Sequence, residues 1–274
     1  MSIKIWWQDI LPAAGQSLAS KDKKAQKEAD DKVIGNLKKV ARKDTTIEMH
    51  HIKYSSYLVQ ASYMEMLNNV WLIDGIIEAE KQGYDAVIIG CGNDPGLQQA
   101  RQAVDIPVVG LTEAAMLLAC TLGFKFGVIT VMDDLVPICE RNIHSYGLDW
   151  RATHPVRVYQ LGDDPLQALS DMILDPRALN PQFDELCRTC IADGAEVIIP
   201  ACAALSPATS LLGYKEVPGT GVPVLDITQT GVKMAEMLVD LQRSIGLGKS
   251  RKSTYKSLPP KVRDRMREQT KCIS

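Results

Sequence analysis

Short apolar runs alternate along the chain with longer stretches of helical periodicity. The runs that predict strands cover residues 3–7, 45–51, 86–90, 107–110, 126–131, 156–159, 196–200 and 223–226. Between them, apolar residues recur at intervals of three and four, which predicts helices through residues 33–40, 57–82, 133–147, 163–173 and 181–193. Strands that alternate with helices are typical of parallel sheets. The predicted fold class is therefore α/β.

One strand–loop unit occurs twice. Residues 83–91 (GYDAVIIGC) and 194–202 (GAEVIIPAC) each run from a glycine through an apolar strand to a cysteine eight positions later. Such short apolar runs are typical of parallel strands that are covered on both faces. Cys91 and Cys202 therefore follow the carboxyl ends of strands, where open α/β sheets bind their ligands.

The likeness continues downstream, where residues 106–119 align with residues 222–235. Two similar units predict two pseudo-symmetric lobes, each a mainly parallel sheet flanked by helices. The first lobe, with the first cysteine, is expected to comprise residues 1–112 together with 228–274. The second lobe, with the second cysteine, is expected to comprise residues 113–227. A pseudo-twofold arrangement would bring the two thiols face to face across a cleft.

A capping residue followed by proline stands shortly after each cysteine. Asn93-Asp94-Pro95 and Ser206-Pro207 carry this pattern, which predicts that a helix begins at each position. A thiol at a helix N-terminus meets unpaired N–H groups and the positive end of the dipole, so thiolate is favoured. The neighbouring amides of Gly92-Asn93 and Ala203-Ala204 are predicted to hold a substrate carboxylate or an enolate oxygen.

Two opposed thiols suit proton transfer at both faces of one carbon. One thiolate removes an activated C–H proton, and the thiol on the other side returns a proton to the opposite face. The roles exchange in the reverse direction, which explains why both positions carry the same residue type. No cofactor is expected, because the chain has no GxGxxG, no P-loop and no lysine motif for pyridoxal phosphate.

Composition narrows the range of partners. The 274 residues include 31 Lys/Arg and 33 Asp/Glu, so neither nucleic acid nor an anionic membrane is expected to bind. No apolar run approaches the roughly 18 residues that span a bilayer, and the N-terminal residues do not resemble a signal peptide. Seven cysteines without regular spacing do not indicate a disulfide framework. The expectation is a cytoplasmic homo-oligomer that acts on a small molecule.

Three further features are interpreted as structural. His50-His51 have no companion ligand at metal spacing, and Cys187 and Cys190 share one face of a predicted helix, so no metal site is predicted. The segment after Gly246 carries nine Lys/Arg residues. It is expected to pack on the surface or to form a subunit contact, since it lacks the interleaved aromatic residues of a nucleic-acid site.

Five segments resemble the aspartate/glutamate/hydantoin racemase superfamily, and most closely its hydantoin and allantoin racemase branch. They are GCGNDPGL (90–97), GVITVMDDLVP (127–137), DGAEVIIPACAAL (193–205), GVPVLD (221–226) and GLGKSRKSTYKSLPPK (246–261). With their spacing, they cover nearly the whole chain beyond the first 50 residues. The resemblance implies two α/β domains, racemisation without a cofactor, and catalytic cysteines at Cys91 and Cys202.

The resemblance also implies substrate contacts from Trp7-Gln8-Asp9, at the end of the first predicted strand, and from Thr130. The branch usually has an Asn-Pro-Asn type segment at the first of these places, and an aromatic residue where this chain has Gly92. These departures bear on the substrate, for which a 5-substituted hydantoin, allantoin or a related amino-acid derivative is the leading expectation. Three alternatives stay open: a maleate-type cis–trans isomerase, a decarboxylase of the same superfamily, and a small-molecule-binding protein without turnover.

Overall fold

Two parallel β-sheets form the centre of the molecule. The computed structural model describes residues 2–12, 23–55, 61–179 and 181–270. The larger sheet has the order β2-β1-β3-β4, and its strands are β1 (Ile3–Pro12), β2 (Thr45–Ile52), β3 (Ala86–Ile89) and β4 (Val108–Gly110). The smaller sheet has the order β6-β5-β7, and its strands are β5 (Phe126–Thr130), β6 (Arg157–Val158) and β7 (Val197–Pro200). All pairings between these strands are parallel, and the predicted α/β class is confirmed.

Helices flank both sheets. Within the described residues they are α1 (Lys23–Val40), α2 (Ser62–Lys81), α3 (Leu97–Ala103), α4 (Leu111–Leu122), α5 (Val136–Ser145), α6 (Pro165–Leu174), α7 (Pro181–Ala192), α8 (Leu205–Leu211), α9 (Ile227–Ile245) and α10 (Pro260–Thr270). The predicted helix over residues 57–82 corresponds to α2, and residues 57–60 of that prediction lie outside the described residues. None of the described helices is long and apolar enough to cross a bilayer.

Two predicted strands at residues 3–7 and 223–226 differ most from the observed structure. β1 continues past Trp7 to Pro12 because it stays paired with β2, first through Gln8 and His50. The predicted strand at residues 223–226 is reduced to two isolated bridges, a parallel one between Val224 and Ile198 of β7 and an antiparallel one between Pro223 and Glu216. Proline at 223 has no N–H to donate, and the chain enters α9 only three residues after Val224, so no longer ladder forms.

Helices α4 and α9 connect the two sheets through one apolar core. Buried residues of α4, such as Ala115 and Met116, belong to the same cluster as Ile88 of the first sheet and Val128 of the second. Helix α9 packs beside α4 and against β1, β3 and β4 of the larger sheet. The chain therefore returns to the first sheet after completing the second, while the residue boundaries of the two lobes stay a prediction.

The basic C-terminal segment packs on the surface next to α3. Arg251 donates to the carbonyls of Arg101 and Val104, at 3.3 and 2.7 Å, and Arg263 donates to the carbonyl of Ala103 at 2.6 Å. Carbonyl groups at the end of a helix lack intrahelical partners and attract cations. The basic residues of this segment thus satisfy the C-terminal end of α3.

A charged cluster joins α1 to the ends of β1 and β2. The His51 ring nitrogens lie 3.2 Å from a carboxylate oxygen of Asp9 and 3.3 Å from one of Asp30. Burial alone would lower the pKa of His51, but hydrogen bonds and the charges of the two carboxylates outweigh it and raise this pKa to about 10. The three side chains are also close enough to hold a metal ion. Because each ring nitrogen faces a different carboxylate, a protonated imidazole satisfies the cluster.

We expect the substitution His51→Gln to destabilise the protein at neutral pH. The raised pKa means that the folded protein binds this proton more tightly than the unfolded chain, so the contribution is complete below about pH 6.5. It declines as the pH rises through about 10. After allowance for solvent screening, we expect a loss of about 1–2 kcal/mol in unfolding free energy near pH 6. Urea unfolding at several pH values measures it.

The exposed His144, which pairs with Asp149 on the surface, offers a matched control. His144→Gln should leave the unfolding free energy within about 0.5 kcal/mol of the parent. A difference between the parent and His51→Gln that stays constant from neutral to strongly alkaline pH would contradict a protonated imidazole.

Candidate active site

The two cysteine loops touch each other between the sheets. Cys91 follows β3, and Cys202 follows β7 by two residues. A Cβ atom at Gly92 would lie only 2.3 Å from the carbonyl oxygen of Ala201 and 3.1 Å from the nitrogen of Cys202. A negative charge on Cys202 raises the pKa of Cys91, so the two sulfurs are within electrostatic range. Strand ends that are distant in sequence therefore place both thiols at one site.

Each thiol receives a backbone N–H from the residue two positions further on. The N–H of Asn93 is directed to the Cys91 sulfur. The N–H of Ala204 lies 3.4 Å from the Cys202 sulfur, which also receives the N–H of Leu205. The two repeated units thus make the same hydrogen bond to their cysteine sulfurs. By themselves, these N–H donors favour thiolate over thiol.

Burial nevertheless dominates the acidity of both cysteines. Cys91 is 8 % exposed and Cys202 is partly exposed. Loss of hydration raises the pKa of each thiol above its ordinary value, and the backbone N–H groups offset only part of this effect. The predicted preference for thiolate is therefore outweighed by burial, which shifts both cysteines toward the thiol form.

A helix follows each cysteine as predicted, but neither helix begins at the predicted capping residue. Helix α3 begins at Leu97, because Asp94 and Gly96 both have positive φ angles, 48° and 63°. Helix α8 begins at Leu205, so Ser206-Pro207 lies inside its first turn and does not precede it. Cys91 is consequently separated from a helix N-terminus by an irregular turn.

Asp94 and Ser206, the predicted caps of the helices nearest to them, bind instead to the first turns of α4 and α9. The Asp94 carboxylate accepts the N–H groups of Thr112 and Glu113 at 3.1 and 2.7 Å, in the first turn of α4. The Ser206 hydroxyl accepts the N–H of Ile227 at 2.8 Å, in the first turn of α9. The segment after Cys91 is thereby bonded to α4, and the segment after Cys202 is bonded to α9.

Helix α5 holds the first cysteine loop from the side of the smaller sheet. Asn142 donates its side-chain amide to the carbonyl of Asn93 at 2.8 Å, and the Tyr146 hydroxyl donates to Asp94 at 2.8 Å. Burial raises the pKa of Asp94 to about 7, although its three hydrogen bonds oppose this shift. The loop that carries Cys91 is therefore fixed by contacts with both sheets' helices.

Cys91 and Asn93 line a small cavity together with a polar face of α2. The lining comprises Ile10, Ile52, Glu65, Asn68, Asn69, Leu72, Cys91, Asn93 and Pro95. It contains one carboxylate and three side-chain amides, and none of these residues is Lys, Arg or His. The free space is sufficient for about one water molecule, so the cavity must open to admit a substrate.

Sequence reasoning missed the contribution of α2. Glu65, Asn68 and Asn69 are three and four residues apart, so they share one face of the helix. The helix is otherwise mainly apolar, so the spacing of these polar residues could have predicted a polar face. What the spacing does not show is that this face points toward a cysteine.

Several predicted site residues have interior positions. Trp7 is 2 % exposed and packs in the central core. The amide of Gln8 is fully buried, accepts from the Trp6 indole at 2.9 Å and donates to the carbonyl of Asp9 at 3.0 Å. Their contact with a substrate stays a prediction, because neither lines the cavity.

Thr130 ends β5 and is completely buried. Its hydroxyl has no well-formed hydrogen bond among the described residues and lies beside the thiol of Cys139, a weak partner. Ala203 and Ala204 are partly exposed next to Cys202. The roles of these three residues in substrate binding likewise stay predictions.

Fold and site together define a class of α/β proteins in which two parallel sheets each deliver a cysteine loop to one shared site. The sequence model of the Asp/Glu/Hydantoin racemase family matches residues 31–235. The chain belongs to this family.

Individual relatives agree with this assignment. The chain is 36 % identical over 220 residues to a hydantoin racemase of Pseudomonas sp. (strain NS671), covering 80 % of this chain and 82 % of the relative. It is 38 % identical over 181 residues to a hydantoin racemase of Rhizobium meliloti, covering 66 % and 69 %. The solved structure of allantoin racemase from Pseudomonas fluorescens superposes with a TM-score of 0.72 at 25 % identity, covering 94 % of this chain and 98 % of that one. The protein is accordingly an isomerase of the racemase type.

We expect alkylation to distinguish the two thiols. Iodoacetamide should label Cys202 before Cys91, because Cys202 is partly exposed whereas Cys91 is buried. Both rates should still be rising at pH 9, since only thiolate reacts and both pKa values are raised. Peptide mapping by mass spectrometry measures each rate, with the urea-unfolded protein as the reference. A rate that reaches its plateau near neutral pH, or preferential labelling of Cys91, would contradict this assignment.

Proposed function

We propose that the protein racemises a 5-substituted hydantoin, a class that includes allantoin, with Cys91 and Cys202 as its two proton-transfer groups. The observation that carries the proposal is the contact of the two cysteine loops at Gly92 and Ala201. Each loop supplies one thiol and at least one backbone N–H group directed at it. The names of the relatives support the substrate class, and the geometry supports a mechanism with two bases.

One proton is shared by the pair during turnover. A cysteine in the thiolate form takes the proton from the ring carbon, which forms an S–H bond and leaves the electron pair delocalised as an enolate. The opposite thiol then gives its proton to the other face of the carbon and becomes the thiolate. Atoms and charge balance, and the enzyme ends with the proton on the other cysteine. Reversal of the two roles returns the enzyme to its starting state.

Burial makes each thiolate a strong base. A thiolate with a raised pKa abstracts a weakly acidic C–H proton more readily than an ordinary thiolate does. The N–H groups of Asn93 and Ala204 point at the sulfurs in the resting protein, so they stabilise the thiolate that the cycle requires. We therefore assign them to the sulfurs and not to the enolate oxygen.

The cavity lining favours a neutral substrate. A free amino acid would bring its own carboxylate next to Glu65, whose cationic partner, the half-exposed Arg141, lies outside the cavity lining. Like charges in a poorly hydrated space repel each other strongly. A hydantoin ring is uncharged and carries amide N–H and C=O groups, which match the side-chain amides. The presence of two similarly held thiols favours racemisation over decarboxylation by a single cysteine.

We expect Cys91→Ser and Cys202→Ser each to abolish racemisation of a 5-substituted hydantoin. A hydroxyl is a much weaker acid than a thiol, and loss of one positioned acid–base group costs about 10²–10⁴-fold in rate. In D₂O, each variant should exchange the ring C–H proton of one enantiomer without inverting it, and the two variants should act on opposite enantiomers. Polarimetry measures racemisation, and proton NMR measures exchange.

Cys120→Ser is the matched control, since Cys120 is a partly exposed cysteine on α4 that takes no part in the cavity. It should racemise at the parental rate. The two-base assignment would be wrong if either Cys91→Ser or Cys202→Ser racemised near that rate.

A further inference from the structure

A polar face of α2 lies inside the molecule opposite Cys91. Glu65 has only 12 % of its side chain exposed, and Asn68 is 6 % exposed. Together with Asn69 they occupy neighbouring turns of one helix face and line the cavity that Cys91 also lines. Buried polar atoms are costly unless they find a hydrogen-bond partner, so an atom of this face that the described residues leave unsatisfied indicates contact with a ligand.

Asn69 has hydrogen-bonding capacity that the protein itself does not use. Its side-chain oxygen Oδ1 is buried and accepts no hydrogen bond from any described residue. The amide lies against Gly96, where an added Cβ would come within 3.4 Å of the Asn69 Cγ. Buried acceptors of this kind normally find a donor, and the adjoining cavity is where a ligand can supply one.

Glu65 adds a second acceptor to the same cavity. Its carboxylate accepts a hydrogen bond from Arg141 of α5 at 3.3 Å, and the side chain of Arg141 is half-exposed. An ionised carboxylate is an acceptor only, and it has room for more than one donor. Glu65 and Asn69 therefore each bring an acceptor oxygen to the lining of the cavity, and such a lining is complementary to N–H groups of a ligand.

We propose that Glu65 and Asn69 form an N–H acceptor subsite that selects substrates by the ring N–H next to the reacting carbon. This inference rests on the proposed racemase function. In a hydantoin, N1–H is bonded to the stereogenic carbon C5, whereas N3–H lies between the two carbonyls on the far side of the ring. Because Cys91 lines the same cavity as Glu65 and Asn69, a ring held by N1–H keeps C5 next to the thiol. Both side chains are positioning residues.

The test compares one hydantoin with its N-methyl derivatives. 5-Benzylhydantoin, N1-methyl-5-benzylhydantoin and N3-methyl-5-benzylhydantoin are assayed with the parent enzyme for kcat and KM and by calorimetric titration. Methylation at N1 should lower kcat/KM by about tenfold or more, as expected for a lost hydrogen bond to a buried acceptor. Methylation at N3, which adds the same bulk, should change it by less than about threefold.

Variants of α2 identify the residues responsible. Asn69→Leu should lose about tenfold in kcat/KM with the unmethylated ring and show no further loss when N1 is methylated. Glu65→Gln retains an acceptor oxygen and should lose less than Glu65→Leu. Glu78→Gln, an exposed position on the same helix, should behave as the parent. Circular dichroism and urea unfolding establish that each variant is folded.

The outcomes separate the subsite from the racemase function. If Asn69→Ala turned over the N1-methyl substrate faster than the parent did, the methyl effect would be steric and the subsite would be overturned. Equal losses on N1- and N3-methylation in the parent would also overturn it. Retained N1–H selectivity in calorimetry without any racemisation would contradict the proposed function alone. If the protein neither bound nor turned over any of the three hydantoins, both the subsite and the proposed function would be contradicted.

Discussion

The close approach of the Gly92 backbone to the Ala201 carbonyl sets the distance between the two halves of the site. A side chain at this position would meet backbone atoms, which cannot move aside as the end of a flexible side chain can. The two cysteine loops would then have to separate, and with them the sulfurs. In this chain, the close contact accounts for the glycine at position 92. One contact between loops from different sheets thus controls the separation of the two thiols that we propose as the proton-transfer groups.

Burial gives the thiols their chemical character. The arrangement that brings Cys91 and Cys202 together also excludes water from them, and this raises the pKa of both thiols. A protonated thiol is a poor nucleophile, but as one of a pair it is a suitable proton donor, and its conjugate base is strong. Backbone N–H groups limit the cost of forming the thiolate without removing its basicity. The small cavity lies against the first of these loops, which contributes Cys91, Asn93 and Pro95 to its lining.

Long-range hydrogen bonds hold this arrangement in place. The side chains of Asp94 and Ser206 do not cap the helices nearest to them. They accept N–H groups from the first turns of α4 and α9, which lie farther along the chain. These two helices pack beside each other in the core that both sheets share. A movement of α4 relative to α9 would therefore displace both cysteine loops. The contacts of Asn142 and Tyr146 from α5 couple the first loop to the smaller sheet in the same way.

The sequence by itself determined the α/β class, the alternation of strands and helices, and the two cysteine loops, because strand and helix periodicity and an internal repeat are local properties of the chain. It also identified the family, since those motifs are contiguous. Only the tertiary structure decided that Gln8 lies in the interior, that α2 contributes Glu65 and Asn69 to the cavity, and that His51 lies between Asp9 and Asp30. Local capping rules failed at Asp94 and Ser206 because N–H groups far along the chain compete for the same oxygens. The acidity of the cysteines also depended on the tertiary structure. The local capping pattern predicted thiolate, whereas burial, which depends on how whole sheets pack, raised the pKa of both thiols.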